Sequence, residues 1–407
     1  MHCGLLGKQL GHSYSPQIHS FLGNYRYMLF EKQPEELETF LKKGDYDGLN
    51  VTIPYKQEVI QYLDILSDRA AELGAVNTII RQADGKLIGH NTDYFGFLSM
   101  LKRTGLDVYG KKVLVLGNGG ASATVVAVLK KENANVVVIS RLGKDNYQNL
   151  DLHTDASVIV NTTPVGMYPN VGTSLLDLDQ FQQLEGVLDI IYNPARTQLL
   201  LDAEERNLIT ANGLWMLIAQ AKESAEWFTG NKISDDRISE IHHQLRKQME
   251  NIVLIGMPGC GKSTIGKELA KYLNMSFVDA DTEIEKLAKK TIPQIFEESG
   301  ECGFRKLESQ VLTDLGKKSG LIIATGGGCV TQKENYRALH QNGRIFWIMR
   351  DIQLLPTDGR PLSQANSLGE MLRVRKPLYE LFADVQIDNN GTLDDTVSEF
   401  LNREGFR

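Results

Sequence analysis

Cysteine is scarce in this chain of 407 residues. The four present, Cys3, Cys260, Cys302 and Cys329, are scattered and form no C-x-x-C pair. That pattern offers no disulfide or metal framework and suits a reducing compartment. No apolar run is long enough to span a bilayer and the first residues show no signal-peptide pattern, so a cytoplasmic protein without a membrane partner is expected. Basic charge is not in excess either. The 44 Lys and Arg stand against 51 Asp and Glu, a formal net charge of −7, which argues against a nucleic-acid partner because that wants a basic face. Local basic pockets for small anions stay open in an acidic protein. Repeats, low-complexity tracts and Gly/Ser- or Pro-rich linkers are also missing, so the parts of the chain are expected to dock closely. What is there, 42% hydrophobic and 23% charged residues, is ordinary globular composition at a length that allows two or three domains.

The most specific local pattern is Gly256-Met257-Pro258-Gly259-Cys260-Gly261-Lys262-Ser263-Thr264. The apolar run 252–255 before it reads as a strand, and residues 262–273 place Ile265, Leu269 and Leu273 at helical spacing. Strand, GxxxxGK[ST] and helix form the context that a phosphate-binding loop requires. Backbone N–H groups of Gly259, Cys260, Gly261, Lys262, Ser263 and Thr264 would cradle the phosphates of ATP. Lys262 would reach the β- and γ-phosphates, and the Ser263 hydroxyl would ligate Mg2+.

A second nucleotide unit lies upstream. Residues 112–116 read as a strand, Gly117-Asn118-Gly119-Gly120-Ala121 as a glycine turn, 122–132 as a helix and 135–139 as a β-branched strand. This is the opening of a dinucleotide-binding βαβ unit. Further strands are expected at 157–160 and 187–191, and helices at 35–43, 213–229 and 235–248. An NAD site usually ends its second strand in Asp or Glu, whereas this chain has Ser140-Arg141. Arginine there can pair with a 2′-phosphate, which favours NADP(H); a solvated strand-end charge is the other reading.

Four polar clusters flank turn-forming residues: Gly11-His12-Ser13-Tyr14-Ser15-Pro16, Asn50-Val51-Thr52-Ile53-Pro54-Tyr55-Lys56, Gly74-Ala75-Val76-Asn77-Thr78 and Gly89-His90-Asn91-Thr92-Asp93. With Asn161-Thr162-Thr163-Pro164-Val165-Gly166-Met167 and residues 213–220, they resemble the shikimate dehydrogenase family over about residues 4–245. The resemblance implies NADPH-dependent reduction of 3-dehydroshikimate to shikimate. It gives Ser13 and Ser15 to the substrate carboxylate, Thr52, Asn77, Asp93 and Gln220 to the ring hydroxyls, and Lys56 to acid/base catalysis with Asp93. It places Tyr192 near the substrate and Thr162, Met167 and Gly213 with Gly117 to Ala121 around the cofactor. Outside this pattern Lys56 would read as a surface lysine, and Asp93 as a helix cap. His12 and His19 have no acidic or cysteine partner at ligand spacing, so no metal is expected in this half.

Downstream of the phosphate loop, residues 276–281 read as a strand ending Asp279-Ala280-Asp281, whose carboxylates would serve Mg2+ through water and an acceptor hydroxyl, respectively. Gly303-Phe304-Arg305-Lys306-Leu307-Glu308 puts Arg305 and Glu308 on one helix face. Gly326-Gly327-Gly328, Gly359-Arg360-Pro361-Leu362 and Arg373-Val374-Arg375-Lys376-Pro377-Leu378-Tyr379 complete a set that resembles shikimate kinase over about residues 251–390. The resemblance implies that Asp281 takes the ring hydroxyls and that Arg305, Arg375 and the backbone of Gly327 and Gly328 hold shikimate. Lys262, Asp281 and Arg360 would carry the transfer, with Ser263 and Asp279 at the metal. The lid segment 354–360 looks shorter than the common family form and lacks its additional arginine before Arg360. In isolation, Arg305 and Glu308 read as a surface pair and the three glycines as a turn.

The expected fold is α/β throughout. A two-lobed dehydrogenase has residues 1–98 plus 213–248 as its substrate lobe around a Rossmann NADP lobe at 99–212. A P-loop domain like the nucleoside-monophosphate kinases follows at 249–407. The two implied reactions are consecutive. One rival is a catalytically weak shikimate-binding regulator, against which the intact Lys56, Asp93, Lys262 and Asp281 speak. Another is a dehydrogenase preferring quinate and NAD, against which Ser13, Ser15 and Arg141 speak. Replacing Arg141 with alanine should weaken NADPH more than NADH; equal losses in the two KM values would remove Arg141 as the 2′-phosphate reader.

Overall fold

The computed structural model describes residues 1–11, 13–355 and 368–403. His12 and the expected lid arginine, Arg360, lie outside the described residues. By packing, the chain divides into two compact units. Met1–Tyr192 with Thr197–Leu245 forms the first, and the chain from Arg246 onward with the short segment Asn193–Arg196 forms the second.

The first unit holds two sheets. Strands β1 (His2–Gly7), β2 (Arg26–Glu31), β3 (Gly48–Val51), β4 (Ile65–Leu66), β5 (Thr78–Arg81) and β6 (Leu87–His90) lie in the order β2-β1-β3-β5-β6-β4. β5 runs antiparallel to β3 and β6, and the other pairs are parallel. The second sheet joins β7 (Lys112–Leu116), β8 (Asn135–Ile139), β9 (Val158–Asn161), β10 (Gly186–Asp189) and β11 (Ile209–Ala211) in the wholly parallel order β11-β10-β9-β7-β8.

The run Lys-Val-Leu-Val-Leu shows why β7 is a central strand. Val113 and Val115 join a core with Phe97, Met100, Val125 and Leu129, while Leu114 and Leu116 join another with Leu199, Leu200 and Ala203. A strand covered on both faces must be apolar at every position, and its side chains alternate between the layers. The chain leaves β7 toward β8 on one side and returns to β9 on the other. The carboxyl ends of β7 and β9 therefore border the crevice where doubly wound sheets take ligands.

Two helices tie this unit together. Asp93–Thr104 starts at the end of β6 and contributes Phe97, Met100 and Leu101 to the core of the second sheet; Leu214–Thr229 packs across it. They meet at Gly96, where an added Cβ would lie 2.8 Å from the Met216 carbonyl oxygen.

In the second unit β12 (Asn251–Ile255), β13 (Ser276–Asp279), β14 (Leu321–Ala324), β15 (Gly343–Met349) and β16 (Val385–Asp388) form a parallel sheet, ordered β13-β14-β12-β15-β16. β12 is buried at every residue and delivers the chain to helix Lys262–Leu273 through the phosphate loop. One expectation is corrected. The strand stops at Asp279, and Asp281 lies in the first turn of helix Ala280–Ala288. Asp279 is that helix's N-cap, its Oδ1 accepting from the backbone N of Asp281 at 3.1 Å and of Thr282 at 3.4 Å. An aspartate at a strand's end is also a strong helix cap, and capping turns the chain there. Helix Ile292–Gly316 bends at Gly300 (φ 64°), which re-aims the segment carrying Arg305 and Glu308.

Alanine at Gly96 should force the two crossing helices apart and cost about 1–3 kcal/mol, as overpacking does. Urea unfolding measures this; an unchanged midpoint would refute the close approach.

Candidate active sites

The loop after β3 carries Thr52 and Lys56 to the carboxyl end of the first sheet, where the Thr52 backbone N donates to the Leu6 carbonyl at 2.9 Å. Lys56 Nζ donates to Asp93 Oδ2 at 2.6 Å, with both side chains largely shielded from solvent. The capping role open to Asp93 is not the one it plays. Thr92 occupies the N-cap position, and the Asp93 carboxylate turns to Lys56. Asn77 sits next to this pair. Its Oδ1 accepts from Thr92 N at 2.7 Å, and its Nδ2 donates to Thr92 Oγ1 at 3.0 Å and to Gln220 Oε1 at 3.4 Å. Lys56, Asp93, Asn77 and Gln220 thus come from four separate segments to one place.

Ser13 and Ser15 lie on another loop, the Ser15 backbone N donating to Ser13 Oγ at 3.2 Å as helix Ser15–Leu22 begins. Tyr14 between them stands edge-on to Tyr192, ring centres 6.2 Å apart and planes at 79°. Burial raises the pKa of both phenols, keeping them protonated. Sequence reasoning missed Tyr27, which shares a hydrogen bond with Ser15 and donates to Asn50 Oδ1 at 2.8 Å. His19 stacks on Tyr27 at 4.0 Å, and burial pushes its pKa down to about 3, so it is neutral.

The nucleotide crevice opens after β7. Gly117 has φ 105°, and a Cβ there would lie 2.9 Å from Thr162 Oγ1, which donates to the Leu116 carbonyl at 2.6 Å. Gly119 and Gly120 begin helix Gly120–Lys131, and nothing lies within 4 Å of a Cβ on either. That clear space before a helix N-terminus fits a pyrophosphate. Asn118 is exposed and Ala121 half-buried in the same turn. At the end of β8 Ser140 is buried and Arg141 exposed. Met167 is half-exposed, and the Gly213 N donates to the Ile191 carbonyl at 2.9 Å, beside Tyr192.

Asp189 is a further residue that sequence reasoning left without a role. It is fully buried and accepts from Asn161 Nδ2 at 3.1 Å, Ile191 N at 3.0 Å and Thr197 Oγ1 at 2.8 Å. It thereby ties the Thr162 loop to the Tyr192 loop. Its only sequence signal is an acidic residue closing an apolar strand.

In the second unit a cleft of about 640 Å3 is lined by the phosphate loop, Asp279, Asp281, Arg305, Glu308, the three glycines and Arg375. Lys262 Nζ donates to the Gly256 and Met257 carbonyls at 2.9 and 3.0 Å, which holds it over its own loop. Cys260 is buried in that loop. Ser263 Oγ donates to Asp279 Oδ2 at 2.6 Å, so a hydroxyl and a carboxylate stand together as hard oxygen donors of the kind Mg2+ takes. Among the described residues no group of three or more His, Cys, Asp and Glu could hold a metal by itself.

Arg305 and Glu308 are not a surface pair. Arg305 Nη1 lies 2.6 Å from Glu308 Oε2, and the Glu308 side chain is fully buried. Burial raises the Glu308 pKa against the opposing effect of Arg305. Burial, with Asp279 next, likewise raises that of Asp281, while Lys262 and Arg305 oppose it. Nor are the glycines merely a turn. A Cβ on Gly326 would lie 2.6 Å from Glu308 Oε1 and 3.0 Å from Asp281 Oδ1, and one on Gly328 would lie 2.1 Å from Arg305 Nη2. Arg375 Nη1 donates to the Gly327 carbonyl at 3.1 Å, and so does the Tyr379 hydroxyl. Asp281 Oδ1, Glu308 Oε1 and Arg305 Nε are buried without a protein partner, leaving acceptors and a donor for a small polar ligand.

A glycine turn at the switch point of a doubly wound sheet, in a unit that also carries a paired lysine, marks a dinucleotide-dependent oxidoreductase. A phosphate loop facing paired arginine and acid marks a small-molecule kinase. Residues 5–79 match the family model described as the shikimate dehydrogenase substrate binding domain, and residues 258–403 match that for shikimate kinase. The chain is 36% identical over 265 residues to the shikimate dehydrogenase (NADP(+)) of Clostridium perfringens (strain SM101 / Type A), spanning 60% of this chain and 97% of that protein. A solved chorismate mutase/shikimate 5-dehydrogenase fusion protein from Clostridium acetobutylicum is similar at TM-score 0.58 and 36% identity, over 60% of this chain and 97% of that one. Shikimate 5-dehydrogenase from Thermus thermophilus, solved in complex with NADP(H) and shikimate, is similar at TM-score 0.54 and 29% identity, over 60% of this chain and 99% of that one. The chain belongs to the shikimate dehydrogenase family and carries a shikimate kinase domain after that region.

Burial pushes the Asp189 pKa up to about 6 from 3.8. The folded state therefore binds this proton more tightly than the unfolded chain. Its stabilising contribution is complete below 3.8 and is lost as pH rises through 6, on the order of 3 kcal/mol. Asp189→Asn should flatten the stability–pH curve in that window; an unchanged slope in thermal unfolding would rule Asp189 out as its source.

Proposed function

We propose that the chain catalyses two consecutive steps, with residues 1–248 reducing 3-dehydroshikimate to shikimate and residues 249–407 phosphorylating shikimate to shikimate 3-phosphate. Within the first part, 1–98 and 213–248 form the substrate lobe and 99–212 the NADP lobe. The observation that carries the reading is the Lys56–Asp93 pair at 2.6 Å beside Asn77 and Gln220.

NADPH supplies the hydride when bound. The carbonyl oxygen that receives the substrate's new negative charge needs a proton donor, and Lys56 Nζ is that group. Asp93 orients the ammonium and accepts from the neighbouring hydroxyl. Thr52, Asn77 and Gln220 hold the ring hydroxyls, Ser13 and Ser15 the carboxylate, and Tyr192 closes on the substrate. The backbone from Gly117 to Ala121 takes the pyrophosphate, Ser140 and Arg141 the 2′-phosphate, and Thr162, Met167 and Gly213 border the nicotinamide.

ATP would supply the phosphoryl group to the second step, and Ser263 and Asp279 would hold Mg2+, which would neutralise phosphate charge when bound. Phosphoryl transfer needs positioning and charge neutralisation above all. Asp281 accepts the proton of the attacking hydroxyl, and its raised pKa makes it a stronger base. Arg305 and Arg375 grip the carboxylate, a suitable task for planar guanidinium groups. Glu308 fixes Arg305, the backbone of Gly327 and Gly328 borders the ring, and Lys262 and Arg360 neutralise the transferring group. The free cysteines and a first unit similar to biosynthetic dehydrogenases support a cytoplasmic location. Among the described residues no helix is long and apolar enough to cross a membrane.

The purified chain should convert 3-dehydroshikimate and NADPH to shikimate alone, and to shikimate 3-phosphate when MgATP is added, as read by mass spectrometry. Shikimate in both reactions would place the error in the second unit. Lys56→Ala should lower NADPH oxidation roughly 100-fold or more, as loss of a general acid does, and leave ATP-dependent phosphorylation of added shikimate intact.

A further inference from the structure

Behind Asn77 and Gln220 lies a buried group of hydroxyls for which the reduction itself has no use. Ser224 is its centre, one helical turn past Gln220 and fully buried. Its Oγ lies 2.9 Å from the Gln220 carbonyl, 2.8 Å from Asn50 Nδ2, 2.9 Å from Thr78 Oγ1 and 2.9 Å from Thr92 Oγ1. A hydroxyl has one proton to give and two lone pairs to receive with.

Some directions follow from groups that have no choice; in the hydroxyl pairs Ser224–Thr92 and Ser224–Thr78 either atom can donate, and the following sense is one that places every proton. The Gln220 carbonyl can only accept, so the Ser224 proton goes there. Asn50 Nδ2 can only donate, and it fills one lone pair of Ser224. The other takes the Thr92 proton. Thr92 Oγ1 is then an acceptor for Asn77 Nδ2 at 3.0 Å, while Thr92 N holds Asn77 Oδ1 at 2.7 Å. Thr78 Oγ1 receives the second Asn50 proton at 3.1 Å and gives its own to Asn77 Oδ1 at 3.2 Å. The Asn77 amide therefore has one orientation, and its remaining proton points to Gln220 Oε1, whose Nε2 donates to the Leu217 carbonyl at 2.8 Å.

We infer that Ser224 is a positioning residue of the dehydrogenase site, acting through Thr92 Oγ1 to hold the Asn77 carboxamide, and Gln220 bonded to it, in place beside the substrate hydroxyls. This rests on the reading that Asn77 and Gln220 bind those hydroxyls. Without the Ser224 hydroxyl the Thr92 proton loses its nearest acceptor and turns to Asn77 Oδ1, 3.2 Å away, or to Gln220 Oε1, 3.4 Å away. The lone pair that received Asn77 Nδ2 is then misdirected; the amide keeps its sense, because Thr92 N still donates to Oδ1, but its Nδ2 loses a fixed acceptor.

The test is a double-mutant cycle in the full chain, following shikimate oxidation by NADP+. Ser224→Ala should lower kcat/KM for shikimate roughly tenfold, chiefly through KM, as losing one buried hydrogen bond does. The KM for NADP+ and the kinase turnover of the same protein should stay at wild-type values, which excludes misfolding. In an Asn77→Ala background the same change should cost less than about twofold, because a residue acting through Asn77 has nothing left to act on. Equal cost in both backgrounds, or none in the intact chain, overturns the inference. Asn77→Ala with undiminished kcat/KM for shikimate overturns the underlying reading instead, and that result is visible without touching Ser224.

Discussion

Ionised groups that leave water must be matched by partners, because an unpaired buried charge costs several kcal/mol. Both sites are organised by that constraint. The Lys56 ammonium is matched by Asp93, and Asp93 begins the helix that passes from the first sheet to the second. In the second unit Arg305 is held by the fully buried Glu308, and the backbone beside them can come close only where it lacks side chains, at Gly326 and Gly328. Each pair leaves some polar capacity unspent, and that capacity is the site.

Nucleotide recognition has a different physical basis, and it is repeated in both units. A central parallel strand buried on both faces runs into a glycine turn and then a helix. Backbone N–H groups and the helix N-terminus are thereby presented at the sheet's carboxyl edge. At Gly119 and Gly120 the space a side chain would fill is clear, and at Lys262 the loop's own carbonyls hold the ammonium in place. An acidic protein can in this way bind several anions without a basic surface.

Much of this was legible because it is local. The phosphate loop, the turn at Gly117 and the strands 112–116 and 252–255 depend on residues within about twenty positions of one another. Alternating burial or helical spacing is enough to recognise them. The error at Asp281 is instructive for the same reason. Two aspartates after an apolar run suit a strand end and a helix start equally, and only the capping bonds of Asp279 decide between them. Arg305 and Glu308 could be read as neighbours on a helix, but their burial could not. Whether an i,i+3 pair faces solvent or a cleft depends on what packs above it.

Local chemistry along the chain determined the element types, the two nucleotide loops and the residue types able to act there, since these follow from spacing and backbone preference over short stretches. Which groups meet was decided only by tertiary structure. Asn50 and Ser224 are 174 positions apart and Asn77 and Gln220 143, yet each pair shares a hydrogen bond. The contacts of Asp189, Tyr14 against Tyr192 and the Ser224 hydroxyl cluster left no pattern in the sequence. Their partners are brought together by packed sheets and crossing helices.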